Sequence, residues 1–270
     1  RLRSSPEQRA HRLVAEIDAV LQVITVNPDD CVLGVLPLFH ALPLLANFWL
    51  PFSVGASAVF LQSISSGEIL RAMREREVSI FCVVPQFFYL IHSRITDQVE
   101  AGGWLRRRLF RLLLAANAGA RALALNFGRL LFRPVHAVFG PRMRLLVTGG
   151  SRFDASIGRD FHRLGFTLLQ AYGLTECAGA ATITPAHNNR IGSVGRPLPG
   201  VELKLLPAEL PLQEVGGNPV EKLGDSGEIA IRGPIVMTGY YNRPDASAAV
   251  LQGGWLRTGD RAVRSPDGFF

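Results

Sequence analysis

The sequence predicts an α/β fold: βαβ layers forming a parallel sheet, followed by a smaller β lobe. Three observations carry this. Apolar runs of strand length recur at 31–36, 58–61, 80–84, 145–148 and 167–171. Helical stretches lie between them, the alternation that parallel sheets require. After Gly195 the texture changes to short segments, 202–206, 228–232 and 236–241, separated by Gly and Pro, which reads as antiparallel sheet. With 270 residues, 48% hydrophobic and 19% charged, the chain has material for a sizeable core and is not a disordered sequence. The pattern divides it into an α/β core, 1–190, and a β-rich lobe, 191–270.

The elements follow in order. Ser5-Pro6-Glu7-Gln8 starts a helix: Ser5 caps, Pro6 suits the first turn, and Gln8 reaches back as in a capping box. Leu13, Ile17, Val20, Leu21 and Ile24 continue it at helical spacing, and Asn27-Pro28 ends it. Residues 41–52 form a buried helix with Pro43 and Pro51 near its ends. Residues 66–77 form a short charged helix, and 86–95 another. Residues 104–132 are a long arginine-bearing helical region, broken near 117–119. A helix over 154–164 separates the last two core strands.

The stretch 31–67 carries no charge and exceeds the ~20 residues that span a bilayer. Pro37, Pro43 and Pro51 interrupt it, so two strands and a buried helix explain it better than a transmembrane helix. Residues 1–12 are polar and basic and show no secretory signal. The three cysteines, Cys31, Cys82 and Cys177, have no metal-ligand spacing and read as reduced thiols. The expected location is cytoplasmic, with peripheral membrane association.

The net charge of +7 is unevenly placed: between residues 101 and 153 there are ten arginines and no acid. Seven of these arginines lie among Leu, Phe and Trp in 104–133, a composition expected to touch an anionic membrane surface. The alternative is that the arginines solvate one face while the leucines pack on the core. No recognition fold accompanies the charge, so nucleic acid is not an expected partner.

The densest polar cluster is Gln170-Ala171-Tyr172-Gly173-Leu174-Thr175-Glu176. A strand runs into a glycine turn and presents a hydroxyl and a carboxylate together, at the kind of strand end where open α/β sheets place ligands. A Thr hydroxyl can bond a phosphate oxygen, and a Glu can ligate Mg²⁺. Read alone, an ordinary capped turn explains it as well. Thr148-Gly149-Gly150-Ser151 ends another strand in paired glycines, which suit close ligand approach or a simple turn. His40 ends a third strand, and Asp260 stands in the Gly-framed loop 254–260.

Together these segments resemble, in order and spacing, the motifs of the adenylate-forming superfamily, which includes acyl-CoA synthetases, luciferases and peptide-synthetase adenylation domains. Tyr172-Gly173-Leu174-Thr175-Glu176 is similar to its Tyr-Gly-x-Thr-Glu signature. Ile191-Gly192-Ser193-Val194-Gly195-Arg196-Pro197, Gly227-Glu228-Ile229-Ala230-Ile231-Arg232-Gly233 and Gly239-Tyr240-Tyr241-Asn242-Arg243-Pro244 resemble further family stretches. The likeness runs over about 11–270. The insertion 104–133, with Pro134-Val135-His136 and the Gly-Gly strand, resembles bacterial long-chain fatty acid–CoA ligases.

The resemblance implies roles. Tyr172 would stack on adenine, with the Gly149-Gly150-Ser151 backbone opposite. Ala171 and Gly173 would border the nucleotide, Thr175 would contact the AMP phosphate, and Glu176 would hold Mg²⁺. Asp260 would accept the ribose hydroxyls. His40, Gly149, Val84 and Pro85 would border the acyl carboxylate. Gly in place of Ala171 and Ala in place of Ser151 are commoner in the family. The implied co-substrates are ATP, coenzyme A and a fatty acid, joined through acyl-AMP. Carrier-protein loading is the alternative within the family, and a non-catalytic binding or interaction module the alternative of another class. The family's phosphate loop and its C-terminal small domain with a catalytic Lys are not found in these 270 residues, so the chain alone is expected not to make acyl-AMP.

Overall fold

The computed structural model describes residues 6–207, 214–215, 218–219 and 224–270. The chain forms two compact units. One, the sheet unit, comprises Val26–Leu38 and Ala46–Leu169; the other, the lobe unit, comprises Arg1–Thr25, Phe39–Leu45 and Gln170–Phe270.

In the sheet unit, β1 (Cys31–Gly34), β2 (Ser57–Phe60), β3 (Ile80–Val83) and β4 (Leu145–Thr148) pair in the order β2-β1-β3-β4, all parallel. β1, β3 and β4 are buried at every residue, as apolar runs without alternation require; β2 is the exposed edge. Helices Ser66–Glu75, Pro85–Ala101, Arg133–Phe139 and Ala155–Arg163 follow the strands. Ser65 caps the first of these and Asp154 the last, each accepting a backbone N–H. The core is aromatic: Phe88 meets Phe161 edge to face at 5.4 Å, and Phe81 and Phe139 are also fully buried. Burial of each such ring stabilises by about 2–3 kcal/mol.

Asp30, at the mouth of β1, ties the strands together. Its carboxylate accepts from Ser79 Oγ at 2.6 Å, the Asn27 N–H at 2.8 Å and both nitrogens of the Arg144 fork. Burial would raise its pKa; the bonds from Arg144, Ser79 and Asn27 outweigh that and hold it at about 2.

β5 (Leu168–Tyr172) begins in the sheet unit and ends in the lobe unit. Its end pairs antiparallel with β6 (Thr182–Ile183), which pairs with β7 (Arg196–Pro197). Then come β8 (Glu202–Leu206), a small antiparallel pair of β9 (Glu214–Val215) and β10 (Asn218–Pro219), β11 (Asp225–Arg232), β12 (Leu251–Gln252) and β13 (Trp255–Arg264). An antiparallel sheet runs β12-β13-β11-β8. The helix Pro6–Leu21 belongs to this unit.

The structure departs from the sequence reading at four places, and a further expectation falls on residues that are not described. Ser5, the expected first cap, lies outside the described residues. The first helix stops at Leu21 instead of Asn27, where the Asn27–Asp30 turn has taken over. Residues 41–52 form two short helices, Ala41–Leu44 and Leu50–Val54, joined by a wider π turn over Leu45–Trp49. Pro51 has no N–H to donate, and the wide turn precedes it. This stretch is only partly buried, since Phe52 is exposed. The long helix Gly103–Ala122 runs through 117–119 and breaks at Leu123 instead. Asn117 stays helical because its buried amide is used: it donates to the Arg163 carbonyl at 2.7 Å and accepts the Phe127 N–H at 2.9 Å. Finally, residues 236–241 form no continuous strand; they are bends and irregular backbone with one isolated bridge residue, Tyr240. No helix among the described residues is long and apolar enough to cross a membrane.

Candidate functional site

In the lobe unit, β5 ends at Tyr172 and the chain turns sharply at Gly173. A side chain there would collide with the Gly179 carbonyl and lie 2.8 Å from Ala180 Cα, so only glycine fits. Thr175–Cys177 form one 3₁₀ turn. The Cys177 sulfur pins it by accepting the Leu174 N–H at 3.1 Å and donating to the Leu174 carbonyl at 3.3 Å. Burial pushes the Cys177 thiol up to about 12, which makes it a structural group and not a nucleophile.

This turn presents Thr175 outward and Glu176 half-buried. Glu176 is held twice: its carbonyl accepts the Met237 N–H at 2.7 Å, and its Oε1 accepts the Tyr240 hydroxyl at 2.8 Å. Burial first, and then the Glu176 carboxylate, raise the Tyr240 phenol.

Asp260 reaches the same place from β13. Between the pairs Glu228–Arg261 and Ala230–Arg257, Thr258, Gly259 and Asp260 stand opposite Ile229 alone. This bulge has two extra residues, so the strand keeps its faces while Asp260 is pushed out. Gly259 takes the left-handed backbone, φ +75°. Thr258 Oγ1 donates to the Ile229 carbonyl at 2.8 Å and accepts the Asp260 N–H at 3.1 Å, while Glu228 accepts the Gly259 N–H at 3.1 Å. Asp260 Oδ2 then accepts the Tyr172 hydroxyl at 2.8 Å. Burial raises the Tyr172 phenol; Thr258 opposes this and Asp260 adds to it, so the phenol stays protonated and donating.

Behind the turn, Glu16 of the first helix is fully buried. Its Oε1 accepts the Ala180 N–H at 2.5 Å; its Oε2 meets no donor among the described residues. Burial lifts this carboxyl to about 8, against the Ala180 bond, so it is protonated at neutral pH. His40, also in this unit, is exposed, heads the Ala41–Leu44 helix without a side-chain cap, and lies against the Phe39 ring at 4.4 Å.

In the sheet unit, the ends of β3 and β4 are neighbours, since Val83 pairs with Thr148. Val84 caps the helix that Pro85 begins, and Gly149-Gly150-Ser151 leave β4, Gly150 at φ +81°. These are carboxyl ends of adjacent parallel strands. Thr148 is buried and its Oγ1 has no partner among the described residues.

The structure thus brings Ala171, Tyr172, Gly173, Thr175, Glu176 and Asp260 together on one unit, and Val84, Pro85, Gly149, Gly150 and Ser151 on the other. Sequence reasoning missed Tyr240, Thr258 and Glu16 as site supports. Tyr240 and Thr258 lay in quoted motifs, whereas nothing in the sequence singled out Glu16. Among the described residues no three His, Cys, Asp or Glu side chains cluster as a metal cage.

The profile of the AMP-binding enzymes matches residues 8–241. The chain belongs to the AMP-binding enzyme family. Its likeness to other AMP-binding enzymes extends to the peroxisomal long chain acyl-CoA synthetase 7 of Arabidopsis thaliana, 30% identical over 89% of this chain and 34% of that protein. It is 27% identical to the long-chain-fatty-acid–CoA ligase FadD15 of Mycobacterium bovis, over 90% of this chain and 39% of that one. Among solved structures, a malonyl-CoA ligase in a ternary product complex with methylmalonyl-CoA and AMP is 29% identical, with a TM-score of 0.68, over 96% of this chain and 47% of that one. The chain therefore spans 34–39% of the length of these curated AMP-binding relatives. The expected α/β class with a predominantly parallel sheet agrees with these structures.

Proposed function

We propose that the chain carries nucleoside and acyl subsites of an AMP-forming ligase that activates a long-chain fatty acid and passes it to coenzyme A. The observation that carries this reading is the Tyr172–Asp260 pair beside Thr175 and Glu176. An aromatic face and an exposed carboxylate, hydrogen-bonded side by side, suit a base and a ribose diol that are themselves side by side. Thr175 is the outward hydroxyl next in the chain, where a phosphate would follow. The names of the relatives support an acyl-CoA product and a long acyl chain.

Glu176 fits a hard cation. One of its oxygens accepts a single bond from Tyr240, and a carboxylate has about four acceptor sites. Mg²⁺ characteristically takes one or two carboxylates and completes its shell with phosphate oxygens and water, so one Glu suffices. Bound there, it would supply neutralisation of phosphate charge.

In the proposed reaction a fatty-acid carboxylate oxygen attacks the α-phosphorus of ATP and the bond to pyrophosphate breaks. The coenzyme A thiolate then attacks the acyl carbonyl and AMP leaves. The chain's part is positioning. Tyr172 presents its ring, and Asp260 its carboxylate, from a bulge that hydrogen bonds hold in place. Gly149 and Gly150 leave backbone free of side chains at a strand end of the sheet unit, where Val84 and Pro85 are proposed to border the acyl group.

AMP titration followed by NMR tests the nucleoside subsite. A ring stack plus carboxylate hydrogen bonds should give roughly millimolar binding, weakened in Tyr172→Ala and in Asp260→Ala. No AMP-dependent shifts up to about ten times that concentration, on a folded sample, would overturn the reading.

A further inference from the structure

The helix Gly103–Ala122 has two apolar faces, and among the described residues only one has a partner. Phe110, Leu113 and Leu114 pack on the sheet unit's core, and Asn117 is fully buried beside them. Leu105, Leu109 and Leu112 recur four and three residues apart, which places them on one stripe, and each is more than half exposed. Leu123 continues that stripe and is 76% exposed, while Trp104 at the helix start is 67% exposed. A helix on a protein surface ordinarily turns charged residues to solvent. Here Arg106 falls on one side of the leucine stripe and Arg108 and Arg111 on the other, while Arg107 falls opposite it and Arg121 bonds His162. The idea that the leucines pack inward while the arginines solvate the outer face therefore accounts for Leu113 and Leu114 but not for the stripe.

We propose that this face lies on an anionic lipid surface, with Leu105, Leu109, Leu112 and Leu123 entering the acyl boundary and the flanking arginines at the lipid phosphates. The charge pattern chooses this occupant. The helix carries five arginines and no acid, so a second copy docking face to face would set arginine against arginine. A polar polyanion would satisfy the arginines but leave the leucine stripe in water. Only an anionic surface with an apolar layer beneath it satisfies both, the pattern of an interfacial helix. Trp104 suits the headgroup level, where an amphipathic ring finds both media. The inference does not rest on the ligase reading: a failure to bind AMP leaves it standing, and a failure to bind lipid leaves the nucleoside subsite standing.

Sedimentation with vesicles of phosphatidylcholine, with and without phosphatidylglycerol, tests it on the whole chain. The expected result is binding to the anionic vesicles with a blue shift of tryptophan emission that Trp104→Phe removes. Arg106→Gln, Arg108→Gln and Arg111→Gln together should lower that binding by about 100-fold at low salt. Leu105→Asn, Leu109→Asn and Leu112→Asn together should abolish the blue shift while leaving the melting temperature unchanged, since these side chains are exposed. Equal binding to neutral and anionic vesicles overturns the proposal. So does a protein that ignores both vesicles, or one that self-associates through the stripe, seen as a dimer in analytical ultracentrifugation that the leucine variant dissolves. A drop in melting temperature in the leucine variant would mean that the stripe is packed, and would likewise overturn it.

Discussion

Among the described residues each unit buries one carboxylate, and the two behave in opposite ways. Asp30 in the sheet unit is caged by Arg144, Ser79 and the Asn27 N–H and stays ionised, with a pKa of about 2. Glu16 in the lobe unit is fully buried with a single backbone donor, Ala180, and is lifted to about 8. Burial pushes both carboxyls up, and the number and charge of the donors decide whether that rise prevails. One carboxylate works as an ion that ties three chain segments, and the other as a neutral wedge behind the Thr175–Cys177 turn.

The largest effect should come from breaking the cage. Arg144→Ala leaves Asp30 buried without its cation and should cost about 3 kcal/mol, the low end for a buried pair because Arg144 is partly solvated. Urea denaturation at neutral pH measures it, and a loss within error of zero would show the pair to be ornamental. Because Asp30 has a depressed pKa, its contribution is present above the unfolded value of 3.8 and is lost as pH falls towards about 2.

Glu16 carries the opposite sign. Its folded pKa lies above the unfolded value, so the folded state holds a proton that the unfolded state releases. Stability should fall as pH rises from about 4.5 to about 8, by up to about 1.4 kcal/mol per pH unit, and level off above. Glu16→Gln keeps the acceptor for Ala180 and removes the titration. It should therefore flatten that slope and be the more stable protein at pH 8. Parallel pH profiles for the two proteins would remove Glu16 as their source.

A third kind of carboxylate, hydrogen-bonded to a tyrosine nearer the surface, sharpens the contrast. Tyr172→Phe deletes one bond to Asp260 while keeping the ring. It should weaken AMP binding by about fivefold, the worth of about 1 kcal/mol, and barely change stability. If affinity is unchanged, the hydroxyl does not orient Asp260. Tyr240→Phe should have the smallest effect, below about 1 kcal/mol in stability, since Glu176 keeps its backbone tie to Met237.

The strands of the sheet unit were legible because a buried parallel strand announces itself as an unbroken apolar run, as Leu145–Thr148 does. The turn at Tyr172 was legible for a different reason: its residue types and order resemble a known signature. What stayed hidden was made by distant partners. Glu16 reads as one more acid on an amphipathic helix, and its environment comes from Ala180, 164 residues away. Asp30 follows Asp29 in an ordinary turn, and Arg144 lies 114 residues on. The helix break was misplaced because Asn117 and a nearby glycine look like a stop, whereas the amide is consumed by Arg163 and Phe127. The Val236–Tyr241 stretch, apolar and short, looked like a strand; its Met237 N–H is spent on Glu176 instead of on a neighbouring strand.

The bulge on β13 sets two demands against each other. A regular antiparallel pairing there would add hydrogen bonds to β11 and dispense with the left-handed Gly259, so selection for robustness alone would trim Thr258, Gly259 and Asp260 back towards one residue. A library screened only for heat resistance should accumulate such shortened or stiffened versions, and these would be the variants that no longer hold Asp260 against Tyr172. The irregular stretch persists as a place where the sheet gives up some of its own cohesion to keep one carboxylate in reach.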